Sequence, residues 1–446
     1  MYADNRIDSE YVLKAYRKAE EQLDQKSWKK IVKFADVTDG IHESIDFDDN
    51  SEINLISAKA PKNNVFDLSS TGHISQAQNT ANPRTQLRKD DVIVSTVGTI
   101  GNCAVVNERV LPANADRHVG IIRIFDSEFK PRFLSSFILT KYGRYQTARF
   151  TTGNVQPNLF IYKIKDIKVP LLSEEFQNTI EQMVLNAEQL LAQSDKAIQD
   201  AEILLNGLLD ISNSENNTYS VRKSSDSFLQ SGRFDAEFYQ PKYDKYEQSI
   251  KNYANGFTTI DDKFQLVTEK CSKSLGQYKY VEIGDINVGN GSYTYNTINT
   301  EDLPDNAKIM TCCGDILVST VRPNRGAVAI LEENNLLVSG AFTVLRPKSD
   351  YSTEILQVLL RTSTYRDWLL KFNVGTSYPV IKDKDVLNLP IPMFEENVQK
   401  EITDKVRESS RLRKIANHLL DKAIQTVEMA IETSEETALL WLEVQE

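Results

Sequence analysis

The residues of this chain that could do chemistry are few and scattered. Asp126, Glu128 and Lys130, in "DSEFK", have the D…ExK spacing with which some nucleases bring carboxylates and a lysine to one divalent metal. Such a triplet belongs on paired strands. Here it stands in a polar stretch just before Pro131 and reads as a solvated turn. Ser95 and Ser319, each in "VSTV", have no histidine or acid beside them to act as a base. His42, His73, His118 and His418 share no metal-ligand spacing, and Cys103, Cys271, Cys312 and Cys313 form no CxxC pair. No phosphate-binding glycine loop is present, Gly98–Gly101 being too short for one. These residues predict no catalytic group and no metal site in the chain. They point to binding.

The elements that would position a binding surface are written twice. "DVIVSTV" at 91–97 returns as "DILVSTV" at 315–321, followed by "GTIG" in the first copy and "RPNRG" in the second. "RIDSEYVLKAYRKAEE" at 6–21 corresponds to "RFDAEFYQPKYDKYEQ" at 233–248, and "GNVQP" at 153–157 to "GTSYP" at 375–379. "DIKVPLL" at 166–172 and "DVLNLPIP" at 385–392 follow, then "KAIQ" at 196–199 and 422–425. Matches in the same order at a nearly constant offset identify an internal duplication. The framework is shared while the polar tips differ: Gly153 and Pro157 match Gly375 and Pro379, yet Asn-Val-Gln stands between them in one copy and Thr-Ser-Tyr in the other.

Each half reads as a short N-terminal element, a mixed region of β-branched strands and turns, and a long helix. A helix is expected at 131–149, opened by Pro131. The first long helix, 173–209, carries Phe176, Ile180, Met183, Ala187, Leu190, Ser194, Ala197, Ala201, Leu204 and Leu208 in alternating steps of four and three, a coiled-coil seam that Val184, Leu191, Ile198 and Leu205 widen on one side. At 1.5 Å per residue it would span about 55 Å. The second, near 394–432, places Ile402, Ala416, Ala423 and Val427 on its seam after a four-residue insertion, a stutter that preserves the apolar face. The Ser- and Asn-rich stretch 210–232 reads as an exposed linker.

Charge follows this plan. The net charge is −11, but residues 26–172 hold 20 Lys and Arg against 15 Asp and Glu, whereas residues 173–235 hold 4 against 11 and residues 393–446 hold 7 against 12. The acid is concentrated on the long helices, leaving room for a basic face on each mixed region. No apolar run is long enough for a membrane span, the opening is too polar for a signal peptide, and the unpaired cysteines suit a reducing compartment; a cytoplasmic location is expected.

With "RIDSEY" and "RFDAEFY", "DDVIVSTVGTIG" and "GDILVSTVRPNRG", and "GNVQPNL" and "GTSYPVI" leading to the two long helices, the chain resembles the DNA-specificity subunit of type I restriction–modification systems over nearly its whole length. The resemblance implies an α+β protein: two similar mixed target-recognition domains joined by two long antiparallel coiled-coil helices, with pseudo-two-fold internal symmetry. The corresponding divisions are 1–24, an N-terminal segment closing the ring or meeting a partner; 25–172, the first recognition domain; 173–209, the central spacer helix; 210–232, the linker; 233–392, the second recognition domain with its N-terminal segment; 393–432, the C-terminal spacer helix; and 433–446, the tail.

The resemblance also implies a non-catalytic subunit that reads a bipartite duplex-DNA target and positions two methyltransferase subunits, with an endonuclease–translocase as a possible further partner. No cofactor is expected in this chain, while S-adenosylmethionine and Mg/ATP belong to the partners. The candidate DNA contacts, chosen as polar or basic loop residues, are Lys59, Lys62, Arg84, Arg88, Arg117, His118, Arg149, Asn154 and Gln156 in the first domain. In the second they are Lys270, Lys273, Arg322, Asn324, Arg325, Thr376, Ser377 and Tyr378. The alternatives are a duplicated adaptor that binds other proteins and a nuclease using "DSEFK".

Overall fold

The computed structural model describes residues 13–69, 71–152, 157–209 and 221–444. The chain divides into two compact units, Met1–Ala192 with Arg413–Glu446, and Gln193–Leu412.

The repeated hydrophobic strand is the centre of each unit. In the first, Val92–Ser95 lies between Val119–Ile124 and Cys103–Val105 in an antiparallel sheet whose outer member is Ala35–Asp39. All four of its residues are buried. Val92 and Val94 face the helices through Phe133 and Phe137, while Ile93 faces the opposite way into a cluster with Ile56 and Val110. A strand covered on both faces has to be a continuous apolar run rather than an alternating one. The second unit repeats this. Ile316 and Val318 pack on Leu356, Leu359 and Trp368, and Leu317 packs on Val281 and Val338.

The sheet topology is duplicated as well. The order is Phe264–Leu266, Phe342–Pro347, Ile316–Ser319, Val328–Ile330. Parallel pairs join Asn54–Ile56 to Ala113–Ala115, and Gln277–Val281 to Leu336–Ser339. Short antiparallel pairs, Trp28–Lys30 with Lys168–Pro170 and Phe257–Thr259 with Pro390–Pro392, close the two units. The chain therefore adopts the α+β class expected from its sequence.

An aspartate precedes each central strand, and both aspartates are buried. Asp91 accepts from Nε and Nη2 of Arg123 at 2.8 and 2.6 Å, and from the Arg88 amide at 2.8 Å. Asp315 accepts from Nε and Nη2 of Arg346 at 2.8 Å each, and from the Cys312 amide at 2.8 Å. These hydrogen bonds raise the pKa of both arginines. Each carboxylate therefore locks the strand start to the neighbouring strand and closes the turn before it.

The helix expected at 131–149 is two helices, Pro131–Leu139 and Lys141–Phe150, broken at Thr140. The Thr140 hydroxyl donates to the Phe137 carbonyl at 2.6 Å and accepts from the Gly143 amide at 3.2 Å, ending one helix and capping the next. A Cβ on Gly143 would lie 2.4 Å from the Phe137 oxygen, so the tight reversal needs glycine there. Thr362 does the same between Thr353–Arg361 and Ser363–Leu370.

The long helices run Glu174–Leu209 and Glu396–Glu432, unbroken over 36 and 37 residues. In the first unit Phe176, Ile180, Val184 and Ala187 share a core with Ala416, Leu420, Ala423 and Val427. In the second, Ile198, Ala201 and Leu205 share one with Ile402 and Val406. Within each unit, the N-terminal half of one long helix thus packs with the C-terminal half of the other. The buried stripe departs from strict four–three alternation. Leu190, Ala197 and Leu204 are only partly covered, while Ile198 and Leu205, one residue on, are buried. The cause is the 3.6-residue period of a straight helix, which drifts off a 3.5 repeat. Ser194 and Ser409 are fully buried, with the Ser194 hydroxyl 2.8 Å from the Ser409 carbonyl and 2.9 Å from its hydroxyl.

Within the stretch read as a linker, Ser224–Ser231 is helical; residues 210–220 lie outside the described residues. Helix Lys14–Leu23 is held to the first unit by Glu20, which pairs with Arg149 and Lys168. Helix Glu435–Val444 also joins the first unit, where Glu435 accepts from the Ser173 amide.

Replacing Asp315 with alanine removes a buried bidentate partner and strands the Cys312 amide. We expect a loss of about 2–4 kcal/mol in urea unfolding of the full chain, with Asp91→Ala giving a similar loss. Thiol labelling gives a second check. Cys312 and Cys313 are exposed, whereas Cys103 is buried and its thiol is pushed up to about 12 by that burial. Native protein at neutral pH should label rapidly at the vicinal pair, and at Cys103 only after denaturation.

Candidate nucleic-acid interface

In the second unit two segments distant in sequence form one surface. The hairpin after Ile316–Ser319 turns through Arg322, which is left-handed (φ 51°, ψ 52°), a single turn Pro323–Arg325, and left-handed Gly326 (φ 76°). The Arg322 amide donates to the Pro379 carbonyl at 2.8 Å, and Val321 bridges Val380. The loop 375–379 is thereby docked on the hairpin, and the Arg322 guanidinium lies 5.5 Å from the centre of the Tyr378 ring. Arg322, Asn324, Arg325, Thr376, Ser377 and Tyr378 are all exposed on this surface.

Two supporting residues escape sequence reading. Asn373 shapes the loop, its Oδ1 accepting from the amides of Gly375 and Val380 at 2.8 and 3.0 Å. Arg366, from helix Ser363–Leu370, backs the hairpin. A Cβ on Gly326 would lie 2.8 Å from its Cδ, and its buried Nε has no hydrogen-bond partner. The signal for Asn373 is its place two residues before Gly375; Arg366 has none, since only the packing of its helix brings it to the tip. Among the described residues Arg322, Arg325 and Arg366 make no ion pair, while Arg346 and Arg361 are taken up by Asp315 and Glu202. Lys270 and Lys273 belong to another edge, where Lys270 bridges Ile309 and Lys273 is left-handed.

The first unit has the same frame with other chemistry. Its hairpin turns at left-handed Gly98 and Gly101 (φ 71° and 81°). Ser95 and Thr99 hydroxyls donate to the Ala58 carbonyl at 2.7 and 3.3 Å, which brings exposed Lys59 beside the hairpin. Asn158 bridges Val97 and Thr152, whereas Asn154 and Gln156 lie outside the described residues.

The other candidates of this unit lie apart from that hairpin or are already engaged. Arg117 and His118 line a cavity of about 270 Å³ with Ile41, His42, Glu43, Ser44, Ile45 and Asp116. His118 Nδ1 is 2.9 Å from Asp116, and His42 is 2.6 Å from Asp39, which also pairs with Arg84 at 3.0 Å. Lys62 is paired with Asp67 at 2.8 Å. Arg88 is exposed, its amide held by Asp91. Arg149 is corrected: its side chain is 11% exposed and 2.6 Å from Glu20, a strut for helix Lys14–Leu23 rather than a surface contact.

The "DSEFK" residues do not converge. Asp126 and Glu128 both pair with Lys29, while Lys130 turns to Glu174. Among the described residues no group of three His, Cys, Asp or Glu side chains could hold a metal, and no helix is long and apolar enough to cross a membrane. Ser95 and Ser319 spend their hydroxyls on the Ala58 and Val321 carbonyls.

Residues 255–423 match the family model of the type I restriction modification DNA specificity domain. The match spans the second strand-rich region and runs into the second long helix. No curated protein matches the chain. Among solved structures, it is similar to the type I restriction–modification S subunit of M. genitalium, at 12% identity and TM-score 0.41, covering 91% of this chain and 96% of that one. It is also similar to the HsdS subunit of Thermoanaerobacter tengcongensis, at 15% identity and TM-score 0.29, covering 92% and 97%. A third, solved in a study of complex assembly and conformational transition of the type I system, gives 14% and 0.28 with coverage of 89% and 97%.

The tip loop depends on Gly375, where a Cβ would fall 2.0 Å from the Tyr378 oxygen. Gly375→Ala should undock the loop, which limited proteolysis would detect as new cleavage within 374–380 of otherwise folded protein. Thr376→Ala should leave the digestion pattern unchanged.

Proposed function

We propose that the chain reads a bipartite DNA target, one half-site with each unit, and presents that DNA to methyltransferase subunits. The observation that carries this reading is the second-unit tip, where Arg322 and Arg325 on the hairpin and Arg366 on the helix behind it have no carboxylate partner among the described residues, on a hairpin frame that the first unit repeats with different side chains. Unpaired cations at an exposed tip suit phosphates and base edges. A repeated frame with unlike tips suits two different sequences.

In this reading residues 25–172 and 233–392 are the two recognition domains. The helices 173–209 and 393–432 set the spacing between half-sites, about 55 Å of helix against about 34–36 Å per turn of duplex. Segments 1–24 and 433–446 close the assembly or meet a partner, and 210–232 joins the halves. The partners are two modification subunits, which bring S-adenosylmethionine, and a restriction subunit, which brings Mg/ATP. The setting is the cytoplasm of a bacterium or archaeon. In the first domain Lys59, Arg88 and Arg117, which make no ion pair among the described residues, take phosphate roles in this reading, as does Arg366 in the second.

The test is binding of the chain, assembled with its modification subunit, to duplexes carrying the methylated target mapped in the source genome. Affinity should fall steeply with salt. A protein-binding adaptor would show no such shift, and metal-dependent cleavage by the isolated chain would favour the nuclease alternative. Arg325→Ala should weaken binding about 10-fold through one half-site only. Deleting Arg411–Lys414 from the second long helix should change or abolish the preferred spacer, read by selecting targets from a library of spacer lengths.

A further inference from the structure

The proposed reading leaves open what the second unit recognises, and the backbone of its hairpin bears on this. The corresponding corner of the first unit is Gly98, left-handed with open space around it. The turn therefore needs a residue able to take positive φ, and glycine meets that need without strain. Arg322 occupies the same conformation with a full side chain, in a region that non-glycine residues enter at a cost. The arginine side chain thus supplies nothing that the turn requires.

Its surroundings show what it can supply. The guanidinium has no carboxylate partner among the described residues and lies 5.5 Å from the Tyr378 ring centre. Tyr378 is itself 47% exposed and sits on the loop docked by the Arg322 amide. An aromatic face beside a guanidinium restrains the plane of the fork and leaves its N–H edge free. A phosphate contact needs charge but no fixed plane. A bidentate contact needs the plane, and guanine presents two acceptors, O6 and N7, that match a guanidinium edge in the major groove.

We infer that Arg322 reads a guanine of the second half-site, with Tyr378 as the positioning residue that orients its fork. This rests on the bipartite reading proposed above. The experiment uses the full chain assembled with its modification subunit and the mapped target, with each guanine of the second half-site replaced singly by 7-deazaguanine, which lacks the N7 acceptor.

Wild type should lose about 10-fold or more in affinity at one of these positions. Arg322→Gly should raise or preserve the thermal midpoint, because the corner loses its strain, yet abolish that base preference. Arg322→Lys should keep most of the salt dependence and lose the discrimination. Tyr378→Phe should behave as wild type, whereas Tyr378→Leu should cut the discrimination several-fold while preserving the fold. A half-site without guanine, no sensitive position, or a loss in Arg322→Gly that is equal for every sequence would each overturn the inference. The last outcome would make Arg322 a phosphate contact, and salt-sensitive target binding would still stand in all three cases. Absence of such binding in the wild type would instead remove the bipartite reading itself.

Discussion

Each unit of this protein is organised around a strand that water never reaches, and a buried carboxylate sets where that strand begins. Asp91 and Asp315 each hold an arginine from the adjacent strand through two hydrogen bonds and the amide of the preceding turn through a third. A buried charge is stable only when its partner and its remaining lone pairs are satisfied, so this arrangement admits one register between the two strands. The register in turn decides which residues face the helices, which face the second sheet, and where the following hairpin emerges.

That hairpin is where the two units diverge. The first turns on two glycines and borrows Lys59 through the Ala58 carbonyl. The second turns on an arginine and a glycine, rests on Arg366, and carries the loop of Tyr378. The rigid part is common and the variable part is confined to side chains at its end. A scaffold built in this way can change what it contacts without changing how it folds.

Much of this was legible in the residues. The apolar runs 92–95 and 316–319 marked strands buried on both faces, and the apolar stripe of 174–209 marked a packed helix. Towards the end of that helix the buried stripe moves onto the flanking residues Ile198 and Leu205, because they follow the period of a straighter helix. The break at Thr140 was missed because a threonine hydroxyl that caps a new helix reads locally like any polar residue within one. Arg149 was misplaced because its partner, Glu20, lies far away in sequence. Arg84 and Lys62 proved to be paired with Asp39 and Asp67.

By itself the sequence determined the duplication, the class of each element and the apolar faces, because these depend on periodicity and on residues that are near neighbours along the chain. Only the tertiary structure decided which charges are free. Arg123 and Arg346 are neutralised by carboxylates brought alongside by sheet register, while Arg322, Arg325 and Arg366 make no ion pair among the described residues where a hairpin, a loop and a helix meet. Pairing between charges depends on a few ångströms of separation across elements distant in sequence, and that separation exists only once the chain has folded.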